Sequence, residues 1–491
     1  MVYAFALLAV AVSLELLVRY QWSRTARQML VWLSISLFVV SSAVLLTMCF
    51  GVGSLAVSVV SAYSIFNMVR TVTGRYGQKF LNVSAGRTAM WLGGAHVACV
   101  YYMISTYIWR PSLVAYVGVL VALQLGLAVV VWLNVRRQLR TTQLPQDVED
   151  IADSQLPTVT VAVPVRNEAG LLEACLEAAL SSNYPKLEIL AFDDGSHDRT
   201  PDIIRSFAHA GVRFIRSAQP ANGWLPKNQA YNELAQAANG EYILFVGADV
   251  RLGVRSIRQL VSLAEGRNKH MVSVLPLNRG ATTVPALQAM RYFWEMGPPR
   301  RLFNRPPVLS SCWLIKRKVL RRYGSFAAFK QSISCEAHLA QAAMHDADGY
   351  SFVRGDEQLA LTSQKPLDEQ RATARLRRYP QAHRRPELVL AYSIGQLGLL
   401  LGPAIVALVG VFVGLGWLIV GVALVALIVH VAAFGMVQRP IFSDAPAWRA
   451  YAAYFPAIAS DIWYLNQSMV LYEFRTVSWK ERNVVPTVMH K

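Results

Sequence analysis

Two short stretches place carboxylates where an apolar run ends. In "LAFDDGSHDRT" (190–200) the run stops at adjacent Asp193 and Asp194, and a Gly-Ser turn follows. In "EYILFVGAD" (241–249) it stops just before Asp249. Carboxylates gathered in one place repel each other unless a cation lies among them. Mg2+ or Mn2+ suits oxygen ligands of this kind, and the oxygens of a diphosphate complete the coordination. The plainer account of Asp-Asp-Gly-Ser alone is a solvated turn, since Asp and Gly are common turn residues. The second stretch weighs against that account.

The elements around these carboxylates must bring them together. "TVTVAVP" (158–164), "LEILAF" (187–192), "VRFI" (212–215) and "EYILFV" (241–246) read as strands. Helical stretches at 168–180, 201–209 and 227–238 lie between them. Strands alternating with helices predict a mostly parallel sheet covered on both faces. In such sheets ligands bind beyond the carboxyl ends of the strands. Both carboxylate stretches lie at such ends, so Asp193, Asp194 and Asp249 are expected in one crevice.

The block that holds them is flanked by apolar segments. Of the 491 residues 54% are hydrophobic, while the formal charge is +18. Uncharged runs of about 20 residues, enough to cross a bilayer as a helix, are read at 30–49, 51–69, 89–108 and 112–134, after a shorter first segment at 2–18. Two more lie at 388–412 and 414–434, and Asp461 and Asn466 interrupt the stretch 450–472. Arginines and lysines gather after the first, third and fifth segments, which predicts that the loops there, and the block after the fifth, are cytoplasmic. The chain is therefore divided into an N-terminal transmembrane region of about five helices (1–140), a cytoplasmic domain (141–386), and C-terminal transmembrane or interfacial helices with a cytoplasmic tail (387–491). Met1 to Phe5 has no basic side chain, which favours a retained anchor over a cleaved signal. The expected location is the cell membrane. Five cysteines without a Cys-x-x-Cys pair imply neither a disulfide framework nor a zinc site. In a membrane chain the excess positive charge is better matched to anionic lipid headgroups and an anionic substrate than to nucleic acid. Trp294, Arg300, Arg301, Phe303 and Arg305 suggest a skirt facing the lipid.

The block resembles the catalytic domain of family 2 glycosyltransferases, nearest to membrane-bound enzymes of the ceramide glucosyltransferase type and to carotenoid and hopanoid glycosyltransferases. The matching stretches are "VAVPVRNEAGLLEACLEAAL", "LAFDDGSHDRT", "GWLPKNQAYNELAQAANGEYILFVGADVRL", and more loosely "CEAHLA" and "RLRRY". The resemblance implies a GT-A-type, Rossmann-like α/β domain inserted between two groups of transmembrane helices. It implies an inverting hexosyltransferase that uses a nucleotide-sugar, a UDP-sugar by preference, and a lipid or lipophilic acceptor. Asn167, Glu168, Asp193 and Asp194 would hold the nucleoside, Lys227 a phosphate, and Asp249 the Mg2+ or Mn2+. Arg375, Arg378 and Tyr379 map onto the diphosphate and acceptor side. Glu336 maps onto the catalytic base, which takes the proton of the acceptor hydroxyl.

Three motifs depart from the family pattern. Gly247 stands where the metal motif usually begins with Asp. Cys335-Glu336 replaces a Glu-Asp pair, and Tyr379 replaces Trp. "TVSWKERNVV" (476–485) resembles a Trp-Arg-Gly-Arg segment of lipid glycosyltransferases but lacks the glycine. A processive polysaccharide synthase and a nucleotide-sugar-binding pseudoenzyme are the alternative classes.

Overall fold

The computed structural model describes residues 112–145, 151–217, 221, 223–300, 305–346, 349–474, 478–479 and 482–483. The segments expected at 2–18, 30–49, 51–69 and 89–108 lie outside the described residues. The chain divides into two units, Met1–Val117 and Gly118–Lys491. The second unit contains residues 141–386.

A seven-stranded sheet forms the centre of this unit. In chain order its strands are β1 (Val159–Val165), β2 (Leu187–Asp193), β3 (Val212–Arg216) and β4 (Tyr242–Val246). The minor strand β5 (Val250–Arg251) comes next, followed by β6 (Met271–Leu275), β7 (Cys312–Lys316) and β8 (Tyr350–Arg354). A last strand, β9 (Thr362–Ser363), pairs with β5 outside the main sheet. The spatial order is β3-β2-β1-β4-β7-β6-β8. β1 to β4 are parallel, β7 runs against both of its neighbours, and β6 and β8 are parallel again. The chain winds outward from β1 through β2 to β3, then returns to place β4 on the other side of β1. This reversal opens a crevice beyond the carboxyl ends of β1 and β4.

Every residue of β4 is buried, as expected of a strand covered on both faces. Side chains alternate between two cores. Ala162, Leu190, Phe192, Ile243, Phe245 and Trp313 join one core, and Val161, Val163, Ile189, Ala191 and Leu244 the other. In the first, Phe245 stacks on Trp313 with centroids 4.4 Å apart. That same core continues into Phe434, Val437, Tyr454, Ala457 and Ile458. The C-terminal helices therefore pack on the sheet region as part of one core.

Three described helices are long and apolar enough to cross a membrane: Val114–Thr141, Leu388–Val413 and Trp417–Gln438. They coincide with the expected segments at 112–134, 388–412 and 414–434. Their outer faces leave Leu123, Leu408, Phe412, Trp417 and Leu418 exposed, and an apolar exterior of this kind marks a contact with lipid or protein. The second of these helices contains a π-helical turn at Leu397–Leu401. There Gln124 Nε2 donates to Gly398 O at 2.6 Å. The stretch 450–472 resolves into Ala447–Ala452 and a 21-residue helix, Tyr454–Phe474. Its buried residues, Tyr454, Ala457, Ile458, Asp461, Leu465, Ser468 and Tyr472, recur every three or four positions, which gives the helix one face against its neighbours.

Candidate active site

Asp193 and Asp194 do not form a solvated turn. Both are buried, at 1% and 6% exposure, and their loop is tied to the end of β1. The Asp194 amide donates to Val165 O at 2.9 Å, and the Ser196 amide donates to Asp193 Oδ1 at 3.0 Å. From the β1 side, the Asn167 amide donates to Ser196 Oγ and the His197 amide to Asn167 Oδ1, both at 2.9 Å. The Glu168 amide donates to Thr200 Oγ1 at 2.9 Å. Arg166 Nη1 donates to the carbonyls of Asp194 and Gly195. Asn167 and Gly195 have φ of 48° and 67°, a left-handed backbone that Asn and Gly adopt at low cost. The strand ends thus hold Asn167, Glu168, Asp193 and Asp194 in one rigid pair of loops.

Asp249 follows β4 on the other side of the crevice. Ser363 Oγ donates to its Oδ2 at 2.6 Å, and the Gln364 amide donates to its main-chain carbonyl at 2.9 Å. The β5–β9 pair holds this approach. Gly247 bears directly on it, because a Cβ added there would lie 2.7 Å from Asp249 Oδ1. In this chain Asp249 itself uses the space that a side chain at 247 would fill. Among the described residues no group of three His, Cys, Asp or Glu side chains could hold a metal. One carboxylate with the oxygens of a diphosphate is nevertheless a donor set that Mg2+ accepts, so Asp249 fits that role as a single protein ligand.

A further carboxylate of the site is Glu336, near the start of the Cys335–His345 helix and 3% exposed. Lys227 Nζ donates to its Oε2 at 3.0 Å, and Arg377 Nη2 to its Oε1 at 3.0 Å. Burial alone would raise its pKa, but the Lys227 and Arg377 charges prevail and hold it down at about 2. Arg377 Nη1 also donates to Ser310 Oγ at 3.2 Å, and Arg291 Nη2 reaches the same hydroxyl at 3.4 Å. Lys365, two residues beyond Ser363, donates to Thr373 Oγ1 at 2.8 Å and feels the charges of Asp249 and Arg291. Burial lowers the pKa of Lys227, Arg291 and Lys365, so each is a cation held at some cost. Lys227, Arg291, Lys365 and Arg377 gather around Asp249 and Glu336, with Glu295 acting on Arg291 and Glu369 on Lys365. Such a gathering of cations suits a multiply charged anion, and phosphate oxygens match both ammonium and guanidinium donors.

The "RLRRY" segment lies on the Leu367–Gln381 helix and divides between two faces. Arg375 Nε donates to Gln467 at 3.2 Å, and its guanidinium lies over Tyr464. Arg378 pairs with Asp461. Tyr379 is fully buried, and its hydroxyl donates to Glu473. All three thus contact the Tyr454–Phe474 helix. Arg377 is the residue of this segment that reaches Glu336. Positions 375, 378 and 379 share one helical face, and 377 points away from it. Periodicity was thus an available signal for Arg377. No sequence signal distinguishes Arg291 or Lys365 from other basic residues.

Comparison with known proteins bears on this arrangement. Residues 160–324 match the family model described as glycosyl transferase family 2. Over 123 residues the chain is 48% identical to the glycosyltransferase AglE of Haloferax volcanii, covering 24% of this chain and 39% of that protein. Over 110 residues it is 33% identical to the uncharacterized glycosyltransferase EpsJ of Bacillus subtilis, covering 22% of this chain and 31% of that protein. It is 26% identical over 147 residues to the hyaluronan synthase of Pasteurella multocida, covering 30% of this chain and 15% of that protein. The chain therefore spans well under half the length of these curated relatives. Among solved structures, it is similar to the mannosyltransferase PcManGT of Pyrobaculum calidifontis, in complex with GDP-Man and Mn2+. The TM-score is 0.45 at 19% identity, covering 73% of this chain and 98% of that one. Residues 160–324 are thus similar to family 2 glycosyltransferases.

Proposed function

We propose that the protein transfers one sugar from a nucleotide-sugar, a UDP-sugar by preference, to a lipid or lipophilic acceptor at the cytoplasmic face of the cell membrane, with inversion. The observation that carries this reading is the cationic cup beside Asp249 and Glu336, built at the carboxyl ends of the strands in a family 2 domain. Asn167, Glu168, Asp193 and Asp194 hold the nucleoside on the β1–β2 side. Lys227 and Arg377 hold the diphosphate and stabilise it as it leaves. Glu336 accepts the proton of the acceptor hydroxyl as that oxygen attacks the anomeric carbon. Mg2+ or Mn2+ bound through Asp249 would neutralise further charge on the diphosphate.

The acceptor class rests on the three apolar helices, each of which adds residues to the core that also holds Phe245 and Trp313. A domain fixed to such helices meets acceptors that partition into the bilayer. The test is incubation of the detergent-purified chain with labelled UDP-sugars and extracted membrane lipids. A lipid-soluble product carrying one sugar is expected. The likeness to a hyaluronan synthase favours a second reading, repeated transfer to a growing polysaccharide. A long water-soluble polymer in the same assay would establish that reading instead.

A further inference from the structure

Glu336 is clasped by the two cations that the reaction needs elsewhere. The three residues come from separate helices, Pro226–Ala237, Cys335–His345 and Leu367–Gln381. Their meeting is therefore a tertiary choice and not forced by local sequence. Each carboxylate oxygen has a cation at 3.0 Å. The carboxylate is 3% exposed, while the Lys227 and Arg377 side chains are 30% and 15% exposed. An anion entering the crevice reaches the cations before it reaches the carboxylate.

Resting on the glycosyltransferase reading above, we propose that Arg377 is a donor-binding residue, and that Lys227 and Arg377 exchange Glu336 for the donor diphosphate, freeing Glu336 to act as the base only once the donor is bound. A carboxylate that accepts hydrogen bonds from two cations is stabilised as the anion and is a weak proton acceptor. A diphosphate offers those cations more charge and more acceptor oxygens than one carboxylate does. The exchange leaves Arg377 in place, because it also donates to Ser310 Oγ and to Ile333 O at 3.1 Å. Arg291 on the same Ser310 hydroxyl brings two guanidinium groups close together. Their repulsion is relieved when an anion arrives. In the transfer step, the acceptor oxygen forms its bond to the anomeric carbon and gives its proton to Glu336. The bond from that carbon to the diphosphate oxygen breaks, and its electron pair leaves with the nucleoside diphosphate. Donor binding thereby precedes productive acceptor binding.

The exchange predicts an unusual variant, because removing the competing carboxylate removes a penalty on donor binding. The full chain in detergent is titrated calorimetrically with UDP, GDP and the other nucleoside diphosphates. Glu336→Gln is expected to bind the preferred one about tenfold more tightly while losing turnover. Arg377→Ala is expected to bind it at least about tenfold more weakly, and adding Glu336→Gln to that variant should gain less than it does alone. A folded Glu336→Gln variant with unchanged or weaker affinity would overturn the exchange. If Glu336→Gln does not fold, Glu336→Asp, whose shorter side chain also loosens the clasp, carries the same comparison. A wild-type chain that binds no nucleoside diphosphate would sink the glycosyltransferase reading itself, a result distinct from failure of the exchange.

Discussion

The indole nitrogen of Trp294 donates to Asp461 Oδ2 at 3.2 Å, joining the helix Ala286–Met296 to the helix Tyr454–Phe474. Gln396 Nε2 donates to the same oxygen at 3.1 Å, and Arg378 pairs with the other one. Asp461 is 2% exposed, so the residue that interrupts an apolar stretch is a buried tie among four helices. Asp461→Ala leaves three donors without their acceptor and Arg378 without its counter-charge. Removing one partner of a buried ion pair costs about 3–5 kcal/mol. A clear fall in melting temperature in detergent is expected, and an unchanged melt would mean that the tie contributes nothing.

Asp249 and Gly247 make a paired prediction. Asp249→Ala should abolish the effect of Mn2+ on nucleoside diphosphate affinity, and Asp249→Asn should keep the fold while losing most turnover. Gly247→Ala places a methyl group 2.7 Å from the present position of Asp249 Oδ1, so the carboxylate has to turn away. Its metal-dependent affinity should fall several-fold with little change in the melt. Calorimetry with and without Mn2+ checks both, and metal dependence that survives Asp249→Ala would place the ion elsewhere.

Glu336 links stability to pH. Its pKa is lowered from 4.5 to about 2 in the folded protein. The stabilisation from its carboxylate is therefore fully present above about pH 4.5 and is lost as pH falls towards 2. The shift corresponds to something on the order of 3 kcal/mol. Burial keeps Cys335 a thiol across this window. Denaturation curves should show the gap between wild type and Glu336→Gln narrowing from pH 6 to pH 3. A gap independent of pH would mean that the carboxylate is not held by these cations.

Arg375 and Arg377 lie two positions apart and should behave differently. Arg377→Ala removes a contact to Glu336 and is expected to lower kcat/KM by about 10²-fold or more. Arg375→Ala removes a contact to Gln467 and should act mainly on the melt. Steady-state kinetics on both variants decides between the two faces of the helix, and equal losses of activity would restore Arg375 to the site.

Topology is open to chemical labelling. Cys175, Cys312 and Cys335 are buried, whereas Ser154 is exposed. Ser154→Cys should resist a membrane-impermeant thiol reagent in intact cells and react after lysis. Labelling in intact cells would place the catalytic region outside.

Local pattern made much of the domain legible. Alternation of strands and helices marked β1 to β4, because a strand buried on both faces must be a short apolar run. Asp193, Asp194 and Asp249 were legible as strand-end carboxylates because strand and turn chemistry is local. The apolar segments at 112–134, 388–412 and 414–434 were legible because a bilayer sets the length of a crossing helix. The suggested lipid skirt fared differently. Trp294 turns inward to Asp461, and Arg300 pairs with Glu295 at 2.9 Å, while Arg305 is exposed and Arg301 and Phe303 lie outside the described residues.

What only the tertiary structure decided depends on contacts between distant parts of the chain. The direction of β7 leaves no trace in its own residues, because parallel and antiparallel strands bury the same side chains. The choice of Arg377 over Arg375 and Arg378 depends on which helix face meets Glu336, 41 positions earlier. The cluster of cations arises because Lys227, Arg291, Lys365 and Arg377 converge from separate elements. By itself the sequence determined the strand ends and the residue types available there. Packing determined which charges meet, since Coulomb energy depends on distances in space that sequence spacing does not set.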